Sequence, residues 1–232
     1  MAGGVCAASG IFAWGAVAPS AQLFGATLRG LDDPAAMAIT FDDGPNPSVT
    51  PQLLALLERH EVTATFFLIG KYVRSVPGLA KEIAERGHAI GNHTETHPRL
   101  TFLSARGIEQ ELSRCDDAIL SATRKKPRWI RPPYGYRSPL LDGIVRRRGG
   151  AGVAMWRASA GDWKTNSPEP VIRRLHRARG GDIILLHDGD HRRLEGDRQH
   201  VVKALEYWLP RWKDAGMRFA NLDKTNYNSE AD

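Results

Sequence analysis

Apolar residues along this chain alternate between two rhythms. Ala36–Phe41, Thr63–Ile69, Ala89–Asn92, Trp129–Arg131, Gly152–Trp156, Asp182–His187 and Arg218–Ala220 are short stretches rich in apolar and β-branched residues. Runs of this length fit strands buried on both faces. Between them the apolar positions recur at helical spacing. Leu53, Leu54, Leu56 and Leu57 mark a helix from about Pro51 to His60, and a second from about Pro77 to Arg86 is stopped by Gly87. Ile108, Leu112, Cys115 and Ile119 stripe a long helix that Ser104 can cap. Further helices are expected over Ser138–Arg148, from Ser167-Pro168-Glu169 onward, and from Asp197 to Ala215. Seven strands alternating with helices imply a parallel sheet, either open and doubly wound or closed into a barrel. No G-x-G-x-x-G follows the first strand, which argues against a dinucleotide site.

Composition narrows this picture. A chain of 232 residues with 42% hydrophobic residues suits one domain with a sizeable core and excludes a wholly disordered chain. Two cysteines, Cys6 and Cys115, do not make a disulfide framework, and Cys115 on a helix stripe reads as a buried thiol. The net charge is +6, with clusters at Arg146-Arg147-Arg148, Arg173-Arg174 and Arg192-Arg193. These lie in separate segments without interleaved aromatics, so they read as solvated faces, not a nucleic-acid surface; an affinity for anionic cell-wall material is compatible with them. Residues 1–32 form an N-terminal arm, apolar at first and uncharged until Arg29. It is read as the remnant of a signal or anchor segment with possible membrane association, or else as an arm packed on the domain. A catalytic domain follows over 33–225, then a polar tail over 226–232.

The chemically useful residues fall at the carboxyl ends of the predicted strands: Asp42-Asp43, His93 and His97, Arg131 and Tyr134, Asp162-Trp163, and His187-Asp188. In parallel α/β folds those ends build the active site. His93 and His97 are four residues apart and on a helical turn would share one face, suiting one metal ion. One of the two aspartates can complete the ligand set while its neighbour takes a proton from water. Arg131 can pair with a carboxylate and keep it ionised. The bend at Pro132-Pro133 and Tyr134 can aim a backbone N–H at an oxyanion. Trp163 can stack on a sugar face, and His187, oriented by Asp162, can protonate a leaving amine.

Five motifs stand in one order: Thr40-Phe41-Asp42-Asp43-Gly44-Pro45, His93-Thr94-Glu95-Thr96-His97, Arg131-Pro132-Pro133-Tyr134-Gly135, Asp162-Trp163 and Leu185-Leu186-His187-Asp188. With them the chain from Pro34 to Leu222 resembles the NodB-like polysaccharide deacetylases, carbohydrate esterase family 4. The resemblance implies an α/β fold, a distorted (β/α) barrel with about seven parallel strands. It implies Asp42 as general base and His187 as general acid, with Asp43, His93 and His97 holding one divalent ion, usually Zn²⁺. It further implies that Arg131 positions Asp42, that Tyr134 supplies an oxyanion-hole N–H, that Asp162 tunes His187, and that Trp163 and Leu185 shape the acetyl pocket. The expected activity is N-deacetylation of a peptidoglycan or chitin-like polysaccharide or oligosaccharide outside the cytoplasm. Hydrolysis of a small amide or O-acetyl ester, or glycan binding without catalysis, are the alternatives. A non-haem iron oxygenase also uses two His and a carboxylate, but on a scaffold the βα alternation argues against. One departure stands out: Ser159 occupies a position where the family usually has an acidic residue, which bears on groove shape.

Overall fold

The structure, a computed structural model, describes residue 10 and residues 12–225. Cys6 and the 226–232 tail lie outside the described residues. The strands are β1 Thr27–Leu28, β2 Ala36–Gly44, β3 Thr65–Leu68, β4 Ala89–Asn92, β5 Trp129–Ile130, β6 Gly152–Ala154, β7 Ala158–Ser159, β8 Ile183–His187 and β9 Arg218–Phe219. The helices are α1 over 12–17, then α2 Thr50–Arg59, α3 Gly70–Ser75, α4 Pro77–Glu85, α5 Ala105–Thr123, α6 Leu141–Arg147, α7 Pro168–Leu175 and α8 Gln199–Asp214. All seven expected strands are present, β5 and β9 only two residues long, together with β1 and β7, two-residue strands that no apolar run marks in the sequence. The six-residue α3 is too short to show a stripe. Ser104 caps α5, accepting the Gly107 N–H at 3.2 Å, and Cys115 is a buried free thiol.

The sheet order is β1-β6-β5-β4-β3-β2-β8-β7, with β9 against β2, and every ladder between named strands is parallel. The sheet curls as a distorted barrel. Between β6 and β7 the chain crosses from one edge to the other within a few residues: Met155 donates its N–H to Leu28, Arg157 to Ile183.

Strand alternation sorts the core into two sets. Met37, Ile39 and Phe41 of β2 join Phe66, Leu68, Ile184 and Leu186 in the larger cluster under the helices. The other face fills the barrel interior, with Leu28, Ala38, Phe67, Trp129, Ala154, Ile183 and Leu222. Above that apolar plug, toward the carboxyl ends of the strands, the same inward register carries polar groups: Thr40 and Asp42 on β2, Arg131 beyond β5, His187 ending β8. The N-terminal arm lies against the domain where it is described: Arg137, itself buried, donates from its guanidinium to the carbonyls of Gly15 and Ala18 at 3.0 Å each. Among the described residues no helix is long and apolar enough to cross a membrane.

Candidate active site

Two adjacent strand residues should point to opposite faces, yet Asp42 and Asp43 both reach the cleft. The β2–β3 register explains this: Asp42 pairs with Phe67 and Gly44 with Leu68, so Asp43 is an extra residue. Its backbone takes φ 73, in the left-handed region. A bulge of this kind re-aims a side chain, here bringing a second carboxylate round to the side of the first. Gly44 is required beneath it, since a Cβ there would come within 2.3 Å of the Asp188 carboxylate. That carboxylate accepts from Thr50 Oγ1 at 2.5 Å, and burial holds it up near 7.

The two carboxylates meet different partners. Asp42 Oδ1 accepts from Arg131 Nη1 at 2.8 Å. Arg131 is fully buried, and its remaining donors reach Thr40 Oγ1 and the Ala154 and Met155 carbonyls, with Phe67 stacked beneath. Every guanidinium nitrogen thus has a hydrogen-bond partner, a condition that favours tolerance of a buried ion pair. Asp43 Oδ1 instead faces His97 Nε2 at 3.2 Å and His93 Nε2 at 3.5 Å.

His93 and His97 are not on a helical turn. They lie in a loop after β4, with Thr94 and His97 at φ 69 and 62. The loop is held by its own polar groups: Asn92 Oδ1 accepts the Thr94 N–H, Thr94 Oγ1 accepts the His97 N–H, and the buried Glu95 pairs with Arg74. The helical expectation failed because these bonds compete with a helical turn. His93 Nδ1 donates to the Arg131 carbonyl at 2.7 Å. A carbonyl only accepts, so Nδ1 carries a proton and Nε2 is the ring nitrogen turned toward Asp43, free to offer its lone pair to a cation.

These atoms fit a divalent cation. One carboxylate oxygen and the two imidazole nitrogens lie within 4.8 Å of one another. Asp43 Oδ1 is buried and has no hydrogen-bond partner. Burial pushes the Asp43 carboxyl up, but His191, His93, His97 and His187 outweigh it and hold it well below the usual range. Burial and the neighbouring His93 push His97 down to about 2, so it stays a neutral donor. Burial also disfavours charge on His93, yet Asp42 and Asp43 prevail and raise it; the pair wants a positive charge at that point.

Opposite stands His187, whose backbone N–H donates to Asp162 Oδ2 at 2.9 Å and whose Nδ1 lies 3.2 Å from the same carboxylate. Burial alone would lower its pKa; Asp162 overrides this and raises it to about 9. Trp163 is 45% exposed, its ring edge-on to His187 at 5.3 Å. Tyr134 takes φ 60, its ring lying 4.6 Å from that of His97. All ten site residues except Arg131 and Asp162, which lie behind the wall, line one cleft of about 610 Å³, Leu185 and Tyr134 included. The residue that sequence reasoning missed is His191. Its ring stacks on His97 at 4.3 Å and its Nε2 lies 3.3 Å from the Tyr134 hydroxyl. The available signal was its place four residues after His187 in a loop containing Gly189.

Fold and site together define an α/β-barrel hydrolase with a metal cradle at the carboxyl ends of its strands. The polysaccharide deacetylase family profile matches residues 30–152. The chain is 35% identical to a peptidoglycan-N-acetylglucosamine deacetylase of Bacillus cereus, over 81% of this chain and 86% of that protein. It is also 35% identical to a chitooligosaccharide deacetylase of Azorhizobium caulinodans, over 87% of this chain and 99% of that protein. Among solved structures, a peptidoglycan N-acetylglucosamine deacetylase in complex with a hydroxamate-type benzamide is 30% identical, with TM-score 0.78, covering 88% of this chain and 94% of that one. This chain belongs to the polysaccharide deacetylase family, carbohydrate esterase family 4, and is a glycan N-deacetylase.

Proposed function

We propose that this deacetylase acts on a carboxylate-bearing N-acetylated cell-envelope glycan, outside the cytoplasm, with Asp42 as its base, His187 as its acid and zinc as its metal. The observation that supports this assignment is the unequal pairing of two neighbouring carboxylates, Asp42 on Arg131 and Asp43 on two imidazoles.

Asp43, His93 and His97 would hold the ion, a donor set suited to zinc. When bound, it supplies Lewis-acid polarisation of the acetamido carbonyl and of water. Arg131 occupies Asp42 Oδ1, leaving Oδ2, which lies 3.8 Å from His93 Nε2, as the oxygen that takes a proton from the attacking water. Asp162 occupies His187 Nδ1, so Nε2 faces the leaving group. As the C–N bond breaks, His187 delivers its proton to the amine and the water-derived hydroxyl stays on the acyl carbon, giving acetate and a free amino sugar. The Tyr134 backbone N–H serves the oxyanion. Trp163 offers a ring face to a sugar, and Leu185 an apolar wall to the acetyl methyl.

The cleft walls favour an anionic glycan over a neutral one. Lys164, Arg192, Arg193 and Arg198 line it together with Asp190 and Asp197; Arg193 pairs with Asp190 at 3.9 Å, while Lys164 and Arg192 have no carboxylate partner among the described residues. Lys71, Tyr72 and Arg198 donate to the carbonyls of His191, Asp190 and Gly189, so the loop bearing Arg192 and Arg193 is held in place. The deciding experiment is acetate release from peptidoglycan fragments and from chitooligosaccharides, with and without chelator. Zinc should restore the chelated enzyme; full turnover by metal-free protein, or none on either glycan, defeats the assignment. The exposed Phe12, Trp14 and Leu23 of the arm favour contact with a membrane surface. Loss of vesicle co-sedimentation in F12S/W14S, with acetate release intact, would support that contact, and unchanged co-sedimentation would refute it.

A further inference from the structure

At the other end of β8 from His187, a second cavity of about 620 Å³ opens beside β7 and the turn that follows α7. The two share no lining residue, although Ser159, at the near end of this cavity, pairs with Leu185 of the cleft wall. Arg157, Arg174, Arg177 and Arg179 all line this cavity, and Asp182 is its one acidic residue. Some arginines elsewhere on the surface have carboxylate partners, such as Arg86 with Glu58 and Glu82, Arg146 with Asp142 and Arg218 with Asp33, and others, such as Arg59, Arg106 and Arg124, stand singly without one among the described residues; what sets this cavity apart is that four arginines share it. Among the described residues the four cavity arginines have no carboxylate partner. Asp182, whose Oδ2 accepts the Arg179 backbone N–H at 3.0 Å, offsets one of the four charges and leaves the cavity lining net positive.

All four are exposed, and one of them is held in place by hydrogen bonds. Arg174 Nη1 donates to the Ala160 and Gly161 carbonyls at 3.2 Å each. The Arg157 guanidinium packs so closely on Gly30 that a Cβ there would lie 2.5 Å from Cζ. Like charges gathered in one concavity repel one another and focus a positive field within it. Guanidinium forks match phosphate oxygens in geometry, and a phosphate, with three or four oxygens and up to two charges, can serve several forks at once where a carboxylate cannot.

We infer that this cavity is a binding site for a phosphate-bearing ligand, separate from the catalytic cleft. Such phosphate can come from a soluble polyanion or from a lipid headgroup, and two probes distinguish them. Inorganic tripolyphosphate is titrated calorimetrically into the metal-loaded enzyme, and vesicles containing phosphatidylglycerol are co-sedimented with it. Each is repeated on R157Q/R177Q, which leaves Arg174 and its carbonyl contacts intact. The expected result is saturable uptake of at least one probe, weakened by added chloride, with affinity at least about tenfold lower in the variant, the scale of a lost charged hydrogen bond. Acetate release and metal content should match the unsubstituted protein. Uptake of tripolyphosphate alone identifies a soluble polyanion, and uptake of vesicles identifies the headgroup. If neither probe binds, or if the variant binds as well as the parent, the inference is overturned; the latter result would place the phosphate elsewhere, as on Arg192 and Arg193.

Discussion

Asp42 and Asp43 are chemically the same residue, and everything that separates them is supplied by neighbours. Asp43→Asn replaces an anionic ligand by a neutral amide and should give protein that loses metal on dialysis. Asp42→Asn should keep its metal and lose about 10²–10⁴-fold in kcat, the usual value of general-base catalysis. Elemental analysis beside kcat checks both, and the opposite metal contents would reverse the assignment. His187 gives a second prediction. Its folded pKa of about 9 stands above an unfolded value near 6.5, so the protonated acid persists to about pH 9 and the rate should fall as pH rises through that value. Asp162→Asn should move this limb to lower pH in a kcat profile. The same shift has a linked stability: it is fully present below about pH 6.5 and lost as pH rises toward 9. Denaturant midpoints across that window should decline in the parent and decline less in Asp162→Asn.

At the scale of elements, the site depends on loops that are packed as tightly as the core. Gly70 opens α3 against the metal-ligand loop, and a Cβ there would meet Glu95 Oε2 at 2.1 Å and the Cys115 backbone at 2.9 Å. Gly70→Ala should therefore destabilise by about 1–3 kcal/mol, typical of overpacking, and also weaken metal binding, because Glu95 belongs to the loop between His93 and His97. Ser104→Ala is the contrast. It removes the α5 cap, for a loss of about 1 kcal/mol, and should leave metal affinity unchanged. Thermal melts paired with zinc titrations separate the two outcomes; equal metal affinities in both variants would show that the loop is not held by this packing.

For the whole molecule, the net charge of +6 is distributed unevenly. One group of cations lines the catalytic cleft and another the cavity at the far end of β8. If the cleft group selects substrate, kcat/KM on carboxylate-bearing peptidoglycan fragments should exceed that on neutral chitooligosaccharides of equal length, and the advantage should shrink as salt rises and screens it. R192Q/R193Q should remove most of the advantage while sparing turnover of the neutral substrate. A preference indifferent to salt and to these substitutions would mean that shape, not charge, makes the choice.

Much of this was legible in the chain itself. The alternation of strand and helix rhythms defined the parallel α/β class and the seven expected strands, because periodicity is a local property. The chemistry of the strand ends was visible for the same reason: Asp42, His93, Arg131, Asp162 and His187 each close a predicted strand or open its loop. Strands β1 and β7 lie outside any apolar run, exist only through their pairing with β6 and β8, and left no pattern to read. Contacts across the chain were equally hidden. Arg131 meets Asp42 across 89 residues, and His187 meets Asp162 across 25. His191 reaches the site only because its loop is tied down by Lys71 and Tyr72. The bulge that turns Asp43 to the side of Asp42 arises from pairing with β3, and the non-helical loop of His93 and His97 from side chains that bond their own backbone. The sequence determined which groups were available at the mouth of the sheet; strand pairing and loop packing, which join residues far apart in the chain, decided which atoms face each other.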